Sequence, residues 1–169
     1  MTVLAEDDLQ ISLPATAKGR KFDDEVTHRL SHCMKAVDFI VELKDRVLFI
    51  EFKDPENPKA LAKDSAAFLN QFLSGQLDTD LKTKYRDSWL YEWAAGRTKK
   101  PIIYLVLIGA GTLSDAELLA RTDALKRQIP VTGPDDQPWK KPFVAGCAVM
   151  NLVAWNKALP QFLVSRVGL

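Results

Sequence analysis

The chain has 169 residues, of which 47% are hydrophobic, 27% charged and 9% aromatic, enough length and apolar content to enclose one sizeable core. Collagen-like, coiled-coil and wholly disordered classes are excluded. With 23 Lys and Arg against 22 Asp and Glu, a net charge of +1, no whole-molecule field draws the chain to a polyanion or an anionic membrane, so any surface for a polyanion must be local.

Residues 1–20 read as an irregular N-terminal arm. Glu6, Asp7 and Asp8 stand where a secretory signal would need a basic start. The longest apolar run, residues 102–110, is far short of the roughly 20 residues that span a bilayer. Cys33 and Cys147 lie in apolar surroundings with no C-x-x-C spacing, which predicts buried thiols in a reducing, cytoplasmic setting. Over residues 21–34, Phe22, Val26, Leu30 and Cys33 recur at helical spacing and predict a first helix. Residues 36–44 and 47–53 are rich in Val, Ile and Phe and are separated by Asp45 and Arg46, which predicts a β-hairpin. The second run is apolar on both parities, as expected of a strand covered on both faces.

Residues 57–96 form a helical insertion, with a break near Gly75 and an end at Gly96. Residues 101–109 are a buried strand, and Ser114 with Glu117 makes the capping box of a helix running to about residue 128. The proline-rich stretch 130–142 is a surface loop. Residues 143–154 are a last strand, followed by a short helical tail with Leu159 and Phe162. The expected fold is one three-layer α/β domain with a central mixed four-stranded sheet flanked by helices, antiparallel in its hairpin and parallel at its end.

The residues that carry chemistry are Asp38 on the first hairpin strand and Glu51 with Lys53 on the second, the pattern D-x12-E-x-K. Glu51 and Lys53 differ by two and leave the same face of the sheet. Charges on an otherwise apolar strand are costly unless something pairs with them or binds there. With the turn centred between Asp45 and Arg46, residue 53 pairs with 38 and residue 51 with 40. Two carboxylates beside an ammonium suit a hard, oxygen-liking divalent ion such as Mg²⁺, with Mn²⁺ as a substitute, that activates water at a phosphate while Lys53 orients the water. A plain salt bridge at a strand end explains the same spacing. His28 and His32, four apart on the expected helix, lack a second ligand pair for zinc.

In this order of elements, Val37-Asp38 and Glu51-Phe52-Lys53 resemble the motif of the PD-(D/E)XK nuclease superfamily, with its restriction-endonuclease-like core. The resemblance covers most of residues 21–155. It departs from the family in Val37, where the name-giving proline would stand, and in the helical stretch of about 38 residues after the second strand. The resemblance implies that Asp38 and Glu51 ligate metal, that Lys53 is the catalytic lysine, that the Phe52 carbonyl is a further ligand, and that Glu25 on the first helix lies near the metal. An i,i+4 pair with Arg29 is an alternative reason for Glu25.

Lys82 and Arg86 share a face of the second inserted helix, with Lys84 nearby, and are candidate phosphate contacts against the alternative of a solvated helix face. Residues 139–169 carry Lys140, Lys141, Lys157 and Arg166 and no acidic residue. Gln71, on the helix after the lysine motif, is a candidate substrate contact by resemblance. Trp89, Trp93, Trp139 and Trp155 either stack on bases or fill the core. The expected function is Mg²⁺-dependent hydrolysis of nucleic acid, DNA above RNA, with no membrane partner. The alternative is a catalytically silent nucleic-acid- or protein-binding module on the same fold, working as a homodimer or with a partner protein.

Overall fold

A computed structural model of the chain describes residues 1–167. The described residues form a mixed α/β structure of two sheets and four helices, in the order β1 (Thr2–Glu6), β2 (Leu9–Leu13), β3 (Lys18–Lys21), β4 (Phe39–Glu42), β5 (Val47–Lys53), α1 (Ala62–Ser74), α2 (Asp78–Ala94), β6 (Ile102–Ile108), α3 (Asp115–Gln128), β7 (Gly146–Met150), α4 (Leu152–Ala158) and β8 (Val164–Arg166). None of these helices is long and apolar enough to cross a membrane.

The large sheet runs β3-β4-β5-β6-β7, so it has five strands where four were expected. The additional strand is β3 on the hairpin edge, antiparallel to β4. The β4–β5 pair is antiparallel, and β5–β6 and β6–β7 are parallel, the mixed arrangement the element order implied. Both faces of β5 are covered. One carries Val47 and Phe49 against Phe72, Leu81, Tyr85 and Leu125 of the first three helices. The other carries Leu48, Ile50 and Phe52 against Leu9, Ile11, Trp155 and Val164. The second cover is therefore mainly the small sheet β1-β2-β8 with α4, rather than helices alone.

The N-terminal arm is ordered strand. Leu9, Ile11 and Leu13 alternate inward with half-buried Gln10 and Ser12, a period of two that a half-buried strand requires. The first helix is absent, and residues 22–38 run as turns and bends. The Asp24 carboxylate accepts the Val26 and Thr27 N–H groups at 2.6 and 3.2 Å, offering the backbone a turn in place of a helix. Arg29 adopts a left-handed φ of 59°, which a helix does not tolerate. Of the stripe that suggested the helix, Phe22 is buried, whereas Val26, Leu30 and Cys33 are exposed. The Cys33 thiol is thus at the surface, and only Cys147 matches the expected burial.

Local signals account for the middle of the chain. The α1 helix ends at Gly75, whose φ of 82° is left-handed. The capping box forms with the Glu117 carboxylate 2.8 Å from the Ser114 N–H and the Ser114 hydroxyl 3.3 Å from the Glu117 N–H. The expected last strand stops early. The Asn151 side chain accepts from the Ala154 N–H at 2.9 Å and starts α4, which buries Trp155. The tail beyond it closes as strand β8, not as helix.

Candidate functional site

The hairpin register brings the charged residues together. Phe39 pairs with Ile50 and Glu42 with Val47, a register shifted by two residues from the expected one, because residues 43–46 all lie in the connection and the Leu43 N–H bonds the Arg46 carbonyl at 2.9 Å. A two-residue shift preserves side-chain parity. Continued by one step, the register sets Asp38 across from Glu51 rather than from Lys53. The Phe52 N–H donates to Asp38 Oδ2 at 2.6 Å and fixes that carboxylate at the strand end.

Glu51 is fully buried on the helix-covered face of the sheet, and Asp38 beside it is 3% exposed. Two ammonium groups meet Glu51 Oε1, Lys53 Nζ and Lys84 Nζ, each at 2.8 Å. Lys84 also lies 3.7 Å from Asp38 Oδ1 and 3.6 Å from Asp23 Oδ2. Lys53 reaches Asp80 at 3.9 Å, and Asp80 in turn pairs with Lys35. Glu51 Oε2 is buried with no hydrogen bond among the described residues.

The electrostatics follow from burial. Burial, and after it the charge of Glu51, pushes the Asp38 carboxyl up to about 8, against the pull of Lys84 and the Phe52 N–H. Burial likewise raises Glu51, opposed by the charges of Lys53 and Lys84. For Lys84, burial works to lower the value, but Glu51 and Asp38 outweigh it and hold the ammonium above the ordinary lysine range. Burial would raise Asp80, yet Lys35 and Lys53 hold it below the usual carboxylate range.

The α2 helix is docked so that Lys84 faces this cluster. The Ser88 hydroxyl accepts the Val37 N–H at 2.9 Å, Asp87 accepts the Lys35 N–H at 2.9 Å, and the Tyr104 hydroxyl donates to the Leu81 carbonyl at 3.1 Å. Asp23 arrives because the Asp38 carbonyl accepts the N–H groups of Phe22 at 2.7 Å and Asp23 at 3.4 Å. Sequence reasoning missed the roles of Lys84 and Asp23. Lys84 falls three residues after Leu81 and four before Ser88, beside the buried stripe of α2, and that spacing was the available signal.

Of the other expected residues, Glu25 is exposed on a turn, and the segment contributes Asp23 to the ion-pair cluster instead. Gln71 is exposed on α1, Arg86 is exposed and Lys82 half-buried on α2, and Lys140 and Lys141 are exposed in the loop before β7. Arg166 is held by Asp54 in two hydrogen bonds of 2.8 and 2.9 Å, so it ties β8 to the end of β5 rather than facing a phosphate. His28 is buried and stacked on Tyr91, whereas His32 is exposed, so the two do not form a pair.

The donor set tests the fit of a metal. Asp38 and Glu51 offer only oxygen, the donor type that a hard divalent ion takes, and Glu51 Oε2 is a buried oxygen left without a hydrogen bond, whereas Lys53 and Lys84 engage Glu51 Oε1 and the Phe52 N–H engages Asp38 Oδ2. No group of three His, Cys, Asp or Glu side chains among the described residues forms a ready chelate. Comparison with protein-family models, curated proteins and solved structures gave no match.

Proposed function

We propose that the chain is a metal-dependent phosphodiesterase acting on nucleic acid, DNA above RNA, with its site at the C-terminal end of β5. The observation that carries this is the fully buried Glu51 with an unbonded oxygen, beside a second buried carboxylate and two lysines. Such a concentration of charge in a core is expensive and marks sites that bind or react. Asp38 and Glu51 would hold Mg²⁺ or Mn²⁺, with the Phe52 carbonyl as a further oxygen. The ion, when bound, supplies a Lewis acid for the phosphate and a water of lowered pKa.

The chain's own residues do the rest. The Phe52 N–H holds Asp38 in one rotamer, so the carboxylate is preorganised. Lys53, a quarter exposed, stands at the mouth of the cluster, where its ammonium can orient water or take the charge that builds on the phosphate. The Asp38 carboxyl, pushed up to about 8 by burial, would be held in its charged form by a cation beside it.

One observation favours the second reading, a silent binding module. The Lys84 ammonium already stands among three carboxylates and offsets part of their charge from the place an ion would take. Incubation with supercoiled plasmid, single-stranded DNA and RNA in Mg²⁺, Mn²⁺ or EDTA separates the two. The nuclease reading expects cleavage that needs metal and disappears in Asp38→Asn and in Lys53→Ala. Nicking that persists in both variants or in EDTA would sink it.

A further inference from the structure

A second feature lies at the other end of the sheet. Trp89, Trp93, Trp139, Phe143, Lys100 and Lys141 line an open groove of about 310 Å³. Trp93 is 57% exposed and Trp139 47% exposed, so the expectation that these indoles fill the core fails for both. Exposed tryptophans are costly to leave in water, and here they are held in place rather than scattered. The Trp89 and Trp93 rings are parallel within 11°, and Phe143 packs edge-on against Trp89 at 5.3 Å and against Trp139 at 6.5 Å.

The floor is anchored in the core. The buried Tyr85 donates to the Phe143 carbonyl at 2.6 Å. The Trp139 indole lies over Gly133 so closely that a Cβ there would come within 2.5 Å of Cδ1, so the loop is shaped around the ring. The charge at the groove is cationic. Lys100 is engaged by Glu42 at 2.6 Å, but Lys141 and its neighbour Lys140 are exposed, and among the described residues no acidic side chain lines the groove.

We propose that this groove is a single-strand nucleic-acid subsite, in which an unstacked base lies on the exposed Trp93 and Trp139 faces and its phosphates meet Lys141 and Lys140. Aromatic faces stack on any base, and lysines follow the backbone. A proline-rich peptide also uses aromatic grooves, but it has no use for the lysines, and charge complementarity therefore selects the polyanion. The groove is separate from the carboxylate cluster. Ile102, which lines it, pairs with Val47, four residues before Glu51 on β5, a distance of about 13 Å along the strand.

Binding measured in EDTA tests this without any cleavage. The probe is a fluorescently labelled thymidine oligonucleotide of about 12 nucleotides, within the range such grooves accept, read by anisotropy beside an abasic strand and a duplex of equal length. The wild type binds the thymidine strand about tenfold or more tightly than the abasic strand or the duplex. The Trp93→Ala/Trp139→Ala protein loses that preference while keeping the weak abasic binding, which a folding defect would not leave intact, and Trp139→Phe retains most of it. Lys140→Ala/Lys141→Ala weakens both strands and lowers the salt dependence. Equal affinity for abasic and thymidine strands, unchanged affinity in the double tryptophan variant, or capture of a polyproline peptide with no oligonucleotide binding would each overturn the assignment.

Discussion

Lys84 is the residue whose removal reports most on the cluster. Its ammonium lies 2.8 Å from Glu51 and within 3.7 Å of Asp38 and Asp23, and its side chain is only 13% exposed. Lys84→Met keeps most of the apolar stem and removes the charge. Deleting one partner of a buried pair costs about 3 to 5 kcal/mol, because the other charge is left uncompensated. Here Lys53 stays 2.8 Å from the same oxygen, so the lower end, about 3 kcal/mol, is expected in EDTA. For a chain of this size that lowers Tm by about 6 to 12 °C. The Glu51→Gln/Lys84→Met protein should be less destabilised than the sum of its single changes, with a coupling of about 2 kcal/mol. Mn²⁺ should stabilise Lys84→Met more than the wild type, since a cation then fills the position the ammonium held. The assay is urea unfolding at neutral pH with and without Mn²⁺. A loss below about 0.5 kcal/mol, the range of ordinary surface changes, or strict additivity in the double variant would refute the reasoning.

Asp38 gives a pH dependence. Its folded value of about 8 lies above the unfolded carboxylate value, so the stability carried by its proton is complete below about pH 4 and is lost as pH rises through 8. In EDTA the wild type should lose on the order of 5 kcal/mol relative to Asp38→Asn between those limits. Parallel stability curves for the two proteins would contradict it. Ser88→Ala removes the partner of the buried Val37 N–H and should cost about 1 to 3 kcal/mol, checked by the same unfolding assay, with no loss expected from Ser74→Ala at the exposed end of α1. Arg166→Ala leaves the buried Asp54 carboxylate without its two hydrogen bonds and should cost about 3 kcal/mol, with faster amide exchange at the end of β5.

What the sequence made legible was local. The Ser114 and Glu117 cap, the Gly75 break and the two-faced burial of β5 each depend on residues within a few positions, and each is where the spacing placed it. The first helix failed because Phe22, Val26, Leu30 and Cys33 match a helical period by composition, while Asp24 captures the backbone for a turn. The N-terminal strands were hidden for another reason. Leu9, Ile11 and Leu13 alternate cleanly and pair locally with β1, but the sheet they form is completed by β8, which lies about 150 residues away in sequence. Asn151 sits inside an apolar run and ends a strand only because its side chain caps α4.

The candidate site divides the same way. Asp38, Glu51 and Lys53 were found because parity along a hairpin fixes which side chains share a face, and the two-residue shift in register left that parity intact. Lys84 and Asp23 join them only through the rotation of α2 and the hydrogen bonds that fold residues 22–38 onto Asp38, and neither is a property of a single element.

Whether the buried carboxylates take a divalent ion decides the proposed function most directly. Titration of Mn²⁺ into the metal-free protein at neutral pH, followed by calorimetry or by the loss of the free-ion paramagnetic signal, measures this without any substrate. The wild type should bind saturably, with affinity weakened about tenfold or more in Asp38→Asn and in Glu51→Gln. No binding by the wild type, or binding unchanged in both variants, would contradict it.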